Sequence, residues 1–223
     1  VTYVHSCYER AYFYSDHKGR MALAHRMYQM GLDCSDKVIF VSEAGRKSYL
    51  SEFRLDTEKT TVVYNGVGLD KLIKGRDFHL KKKYPYHLIY IGRLTKVKGI
   101  DLLLKAAAVL KEHYPIIVSI VGDGDSRAEL EALSKELRLE SIVRFWGQQQ
   151  DVTPFLKQAG IFIYPSVWQE IFGISIVEAM AFGIPCVANA VGGIPEIIRD
   201  KDCGYLNYYL TAESLADTIK NVI

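Results

Sequence analysis

The chain has 223 residues, 49% of them hydrophobic and 24% charged, with a net charge of +2. That balance is ordinary for a globular protein and gives no field strong enough to gather nucleic acid. No apolar run reaches the roughly 18 residues that span a membrane, and the four scattered cysteines, Cys7, Cys34, Cys186 and Cys203, form neither a zinc nor a disulfide framework.

Val1 to Val4 reads as the tail of a strand with no signal-peptide pattern. The expectation is a fragment cut at its start, in a reducing, cytoplasmic setting. His5 follows that strand directly; a lone histidine there is more often structural than functional. The spacing predicts a helix over 17–31, with Leu23, Met27 and Met30 on one face. Lys37 to Ser42 reads as a strand, and Ser42 caps a helix from Glu43 to about Phe53. Thr61 to Tyr64 is a further strand, closed by the Asn65-Gly66 turn signal. From Val67 to Tyr86 apolar residues are few and charges many, including Lys81-Lys82-Lys83, so this is a linker.

A second unit starts at the strand Leu88 to Ile91, followed by the loop Gly92 to Lys98. A helix runs from Gly99 to about His113, burying Ile100, Leu103, Leu104 and Ala107. Ile116 to Val121 is an apolar strand, and Gly122-Asp123-Gly124 turns into a helix over 126–138. Ile142 to Phe145 is a strand and 151–158 a short helix. Gly160 to Tyr164 is a buried strand, which Pro165-Ser166 breaks. From Gly173 the apolar residues Ile174, Val177, Met180 and Ala181 take helical spacing. Pro185 to Ala188 is another strand, Ile194 to Arg199 a short helix and Ala212 to Ile223 a final helix. Strands that alternate with helices and are apolar on both faces predict a doubly wound, Rossmann-like parallel α/β sheet.

The stretch 164–181 organises the chemistry. Glu170 lies in a loop after a strand, and Glu178 lies in the following helix. Open α/β sheets bind ligands at that carboxyl edge, and a helix start offers free N–H groups to a phosphate. Either carboxylate can equally be an ordinary solvated or capping residue. Arg93 and Lys98 sit beside Gly92 and Gly99, where the backbone can approach a ligand. Arg offers a bidentate fork to phosphate and Lys a point charge, though most such residues are surface charges. Gly122-Asp123-Gly124 lacks a third glycine, because Arg127 stands in its place, so a dinucleotide cofactor is rejected. Gly192-Gly193 is either a tight turn or a backbone approach to the ligand.

These elements share an order: Val41-Ser42-Glu43, Tyr64-Asn65-Gly66-Val67, Ile91-Gly92-Arg93-Leu94, Lys98-Gly99, Val121-Gly122-Asp123-Gly124 and Pro165-Ser166. Glu170-Ile171-Phe172-Gly173, Glu178-Ala179-Met180-Ala181, Gly183-Ile184-Pro185 and Val191-Gly192-Gly193 follow. Over about Val1 to Tyr205 the chain resembles the retaining, nucleotide-sugar-dependent glycosyltransferases of GT-B fold (family four, glycosyl transferases group 1). The resemblance implies two Rossmann-like domains with the active site between them. Residues 1–66 would be the second half of the acceptor-side domain, 67–86 a linker and 87–223 the nucleotide-sugar-binding domain. Gly68 stands where the family usually has Asp.

By that resemblance Arg93 and Lys98 bind the donor diphosphate, Glu170 holds the transferred sugar and Glu178 accepts from the ribose hydroxyls. The N–H groups of Phe172, Gly173 and Ile174 meet sugar and phosphate. His5 matches an acceptor-side histidine, and the Trp146-Gly147-Gln148-Gln149 loop, through Gly147 and Gln148, meets the base. No metal or other cofactor is implied, because Arg and Lys supply the charge. The implied partners are a nucleotide-diphosphate sugar and a glycan or lipid-linked glycan acceptor. Nucleic acid is not one of them. A peripheral contact at the inner face of a membrane, through a missing amino-terminal part, is a further expectation. The alternatives are a fragment that binds nucleotide sugar without turnover and a GT-B sugar epimerase.

Overall fold

The computed structural model describes residues 1–4, 18–68 and 85–223. His5, Cys7 and the Lys81-Lys82-Lys83 run lie outside the described residues, as does most of the expected linker. Two parallel sheets carry the rest. The first has three strands, β1 (Thr2–Val4), β2 (Val38–Phe40) and β3 (Thr60–Val62), paired in chain order. Two helices connect them, α1 (Lys18–Asp33) and α2 (Glu43–Glu52). Ser42 caps α2 as expected, its Oγ accepting from the Gly45 N–H. Val4, Leu32, Val38, Phe40, Tyr49 and Phe53 form the core beside this sheet.

Helix α1 forms where the spacing put it, with its apolar stripe exposed. Leu23, Met27 and Met30 are 61%, 64% and 65% exposed, so their stripe does not face this core. The helix docks through its other side. Leu32 is buried, His25 stacks on Phe53, and Gln29 accepts from the Arg54 N–H and donates to the Arg54 carbonyl.

The second sheet has six strands: β4 (Tyr86–Ile91), β5 (Ile116–Val121), β6 (Val143–Gly147), β7 (Ile161–Tyr164), β8 (Cys186–Asn189) and β9 (Tyr205–Asn207). Their spatial order is β6-β5-β4-β7-β8-β9, all parallel. The helices are α3 (Ile100–Leu110), α4 (Arg127–Glu136), α5 (Thr153–Leu156), α6 (Ile174–Ala181), α7 (Ile194–Ile197) and α8 (Ala212–Lys220). Strand β9 escaped the sequence reading, because Tyr205-Leu206-Asn207 is too short to show a period.

Side chains alternate along β4. Leu88 and Tyr90 pack with Leu103, Leu104, Ala107 and, from α8, Leu215, Ala216 and Ile219. Ile89 and Ile91 face the other way, toward Phe162, Ile176, Ala179 and Ile194. Both faces of the sheet are covered, which is why its strands read as continuous apolar runs. Helix α6 forms where the spacing put it. Its buried residues are Ile176 and Ala179, whereas Ile174 is 50% exposed. The helix begins with its Ile174 turn open rather than packed. Among the described residues, no helix is long and apolar enough to cross a membrane.

Candidate functional site

Strand order in the larger sheet reverses between β4 and β7. A crevice opens at such a point, because the connections on either side leave in opposite directions. The loop after β4 carries Arg93 and Lys98, and the loop after β7 carries Glu170. Topology alone therefore brings the two loops to one place.

Backbone contacts hold them together. The Val167 N–H donates to the Val97 carbonyl at 3.0 Å, and Ser166 Oγ lies 3.0 Å from the same carbonyl. Gly99 is left-handed at φ 64° and abuts the Pro165 carbonyl, where a Cβ would collide. No other residue type fits there without displacing the β7 loop.

This stitching sets the charged groups. Lys98 Nζ lies 2.5 Å from Glu170 Oε1, and the pair is largely shielded from water. Ser166 Oγ donates to the same oxygen at 2.6 Å. Lys98 also reaches the Tyr164 hydroxyl at 3.3 Å and sits over the Tyr164 ring. Burial pushes the Tyr164 phenol far above its ordinary value, and the Glu170 charge adds to it. Tyr164 therefore stays a neutral donor. An ionised carboxylate offers about four lone-pair directions, so Glu170 keeps capacity for a ligand hydroxyl.

Arg93 is exposed. Its carbonyl accepts from the Tyr90 hydroxyl at 2.9 Å, which fixes the start of the loop from inside the core. Burial of the Tyr90 ring, and then the Glu170 charge, raise that phenol too. A crevice of about 290 Å³ lies over the ends of β4, β5 and β6. It is lined by Gly92, Arg93, Asp123, Gln148 and Gln149 among others. Arg93 and Gln148 thus share one cavity, while Lys98, Glu170 and Glu178 do not line it. A larger groove, about 660 Å³, runs between α3 and α4 and holds none of the predicted site residues.

Helix α6 starts at Gly173, which is left-handed at φ 95°. Among the described residues, no backbone carbonyl accepts from the N–H groups of Phe172, Gly173 or Ile174. Three unpaired donors at a helix start suit an oxyanion. Glu178, one turn further along α6, is half-buried, and burial holds its carboxyl above the ordinary value. No side-chain partner stands against it among the described residues. A half-buried carboxylate without a partner is open to a donor from a ligand.

Two glycine pairs make close backbone contacts. Gly122 and Gly124 press against the carbonyls of Gly92 and Leu94, so they bring the β4 and β5 loops together rather than merely turning the chain. Asp123 accepts from Gly124 N–H and pairs with Arg127 Nη1 at 2.8 Å. Gly192 and Gly193 lie against the backbone of Glu170 and Ile171, and the Gly193 N–H donates to the Glu170 carbonyl at 2.6 Å. This pair approaches the Glu170 loop. Gly147 is left-handed at φ 69°, and its carbonyl accepts from Gly122 N–H. His5 lies outside the described residues.

The sequence reading missed a buried amide chain. Asn189 and Asn207 are both buried. Asn189 Nδ2 donates to the carbonyls of Pro165 and Ser166 at 2.7 and 3.1 Å. Asn207 Nδ2 donates to Asn189 Oδ1 at 2.7 Å, and Ser214 Oγ to Asn207 Oδ1 at 2.6 Å. Strand ends and helix α8 thereby fix the turn that carries Ser166 and Glu170. An asparagine ending an apolar strand was the available signal, since a buried amide needs partners.

Comparisons with known proteins agree with this layout. The family model described as glycosyl transferases group 1 matches residues 74–223, and that described as glycosyltransferase family 4 matches residues 1–71. N-acetyl-alpha-D-glucosaminyl L-malate synthase of Bacillus anthracis is 32% identical over 185 residues, 81% of this chain and 48% of that protein. D-inositol 3-phosphate glycosyltransferase of Corynebacterium aurimucosum is 29% identical over 212 residues, 87% of this chain and 50% of that protein. Anabaena HepE, solved in complex with UDP-glucose, superposes with a TM-score of 0.84 at 25% identity, covering 98% of this chain and 61% of that one. Sucrose-phosphate synthase of Thermosynechococcus elongatus gives 0.79 at 25% identity, covering 99% and 57%. The chain spans about half the length of the curated relatives it matches.

Proposed function

This chain belongs to the glycosyl transferases group 1, and from that premise we propose that it takes part in moving a sugar from a nucleotide-diphosphate sugar to an acceptor. The observation that carries the reading is the Lys98–Glu170 pair at the sheet's reversal point. The unpaired N–H groups of Phe172, Gly173 and Ile174 and the unpartnered Glu178 stand on the helix that follows. Diphosphate, sugar and ribose each find a matching group there.

The roles follow from chemistry. Arg93 and Lys98 bind the diphosphate and stabilise the charge it gains as the glycosidic bond breaks. They take the place of a metal. Glu170 accepts from hydroxyls of the reacting sugar, and Glu178 from the ribose. The N–H groups of Phe172, Gly173 and Ile174 receive phosphate or sugar oxygens. Gly147 and Gln148 meet the base from the edge of the crevice that Arg93 lines. His5 is assigned to the acceptor, as the family resemblance implies. Residues 1–66 form part of the acceptor-side domain, 67–86 the linker and 87–223 the nucleotide-sugar domain. The acceptor is a glycan or a lipid-linked glycan, and transfer keeps the anomeric configuration. The support for donor chemistry includes the HepE relative, which was solved with UDP-glucose.

The experiment is an NMR transfer assay with UDP-, GDP- and ADP-sugars and glycan or lipid-linked acceptors. The reading expects product of unchanged anomeric configuration in the presence of EDTA. Inverted product would refute retention, and strict dependence on a divalent ion would refute the charge roles of Arg93 and Lys98.

A further inference from the structure

Glu196 lies in α7, beside the larger sheet, yet its carboxylate is spent on the smaller one. Oε1 accepts from the Ala44 N–H at 2.7 Å, and Oε2 from the Glu43 N–H at 2.8 Å. The Tyr64 hydroxyl also donates to Oε2, at 3.1 Å. Glu43 and Ala44 open helix α2. The next two N–H groups of that helix go to Ser42: Gly45 to Oγ and Arg46 to the carbonyl. The Arg46 bond is the first internal bond of the helix, so Glu196 takes the two first-turn N–H groups that Ser42 leaves unpaired. A negative charge is favoured at that end, and it holds the Tyr64 phenol above its ordinary value, first through the hydrogen bond.

The same short segment grips the site loop. Gly193 N–H donates to the Glu170 carbonyl, and Gly192 and Gly193 leave no room for a Cβ against Glu170 and Ile171. The Tyr64 ring lies 6.1 Å from Phe172, and Val41, Ile171, Phe172, Val177 and Ile197 form one apolar cluster. One side of the segment 192–197 therefore touches the loop that presents Glu170 and the free N–H groups. Its other side is seated on α2.

We propose that Glu196 is a positioning residue: it clamps the start of α2 onto the 170–173 loop and so fixes the geometry that receives the sugar diphosphate. The kinetic part of this inference rests on the proposed donor site, and the structural part does not. Two acceptor oxygens facing two backbone N–H groups make the carboxylate irreplaceable. An amide in its place turns an NH₂ toward one of those N–H groups. Glu196→Gln should therefore behave like Glu196→Ala, although it is nearly isosteric.

The test is hydrogen exchange on the unliganded protein, followed by kinetics with the nucleotide sugar found to bind. Glu196→Gln should speed exchange on the order of tenfold or more at residues 43–45 and also at Gly193, whose N–H holds the Glu170 carbonyl, from the loss of charged hydrogen bonds. Turnover should fall by a similar factor while the donor KM moves less. Tyr64→Phe removes one bond without touching the α2 start, and it should give a smaller effect at Gly193. It carries the test if Glu196→Gln does not fold. Faster exchange confined to 43–45, with Gly193 and turnover unchanged, would reduce Glu196 to a helix cap and overturn the proposal. If no nucleotide sugar binds the wild type, the donor reading fails. The exchange result still decides the clamp.

Discussion

Lys98 Nζ and Glu170 Oε1, 72 residues apart in the chain, form an ion pair at the point where the larger sheet reverses its strand order. The side chains are 22% and 13% exposed, so neither charge is well hydrated. Removing one partner leaves the other shielded and alone, which costs more than removing both. Lys98→Met should lower Tm more than the double change Lys98→Met, Glu170→Gln. Thermal unfolding of the two single variants and the double variant gives the coupling. Additive effects would contradict a shielded pair.

The two carboxylates should separate kinetically. Glu170 is assigned to the reacting sugar, so Glu170→Gln should mainly lower turnover. Glu178 is assigned to the ribose, so Glu178→Gln should mainly raise the donor KM. Each lost charged hydrogen bond is worth about 1.5–3 kcal/mol. Steady-state rates with the donor varied are the check, and wild-type constants for both variants would make the loop structural only.

Glu178 also predicts a pH effect on stability. Burial raises its carboxyl in the folded state. The folded chain then holds a proton that the unfolded chain has released. Stability from this group is fully present below the ordinary carboxylate value and is lost as pH rises through the raised one. Glu178→Gln should therefore be more stable than wild type at neutral pH, with the gain vanishing in acid. Denaturant midpoints from pH 4 to 8 test this. A variant less stable at pH 7 would mean that Glu178 has a structural partner.

His87 titrates the other way. Its Nε2 meets Ser119 Oγ at 2.8 Å, and Trp146 Nε1 donates to the same oxygen at 3.0 Å. The Gln158 carbonyl can only accept, so Nδ1–H donates to it, and in the neutral ring Nε2 is left to accept the Ser119 proton. Burial lowers the His87 value, partly offset by that carbonyl. The neutral ring contributes stability above the ordinary histidine value, and this is lost as pH falls through the lowered one. Stability should drop on acidification below about 6.5, and His87→Gln should flatten that slope. The same slope in wild type and variant would place the titration elsewhere.

Asn189 is buried and holds the Pro165 and Ser166 carbonyls. Asn189→Leu leaves those carbonyls and the Asn207 amide without partners. Each unsatisfied buried group costs about 1–3 kcal/mol, so a clear loss of Tm is expected, with faster amide exchange over residues 165–170. An unchanged Tm would show that the chain through Asn207 and Ser214 contributes little.

Local signals carried much of this architecture. The apolar run 160–164 followed by Pro165-Ser166 and a helical period gave strand, loop and helix without reference to the rest of the chain. The positions of Lys98 and Glu170 at strand ends were likewise readable. What was hidden lies between distant segments. Gly192-Gly193 looks like any tight turn until the Glu170 backbone is placed against it. Glu196 reads as an ordinary helix residue because its partners lie more than 130 positions earlier. The Leu23, Met27 and Met30 stripe shows the same limit: its helical period was readable, but not that it turns away from the core.

The most direct measurement is titration calorimetry of UDP, GDP and ADP and their sugars in EDTA, with thermal shift alongside. The account predicts that at least one nucleotide sugar binds without divalent metal. A hundredfold excess over Kd should then add about 2.7 kcal/mol to stability. Arg93→Ala and Lys98→Ala should each weaken that binding by roughly tenfold or more. Absence of binding by every nucleotide, or binding untouched by either substitution, would contradict the account.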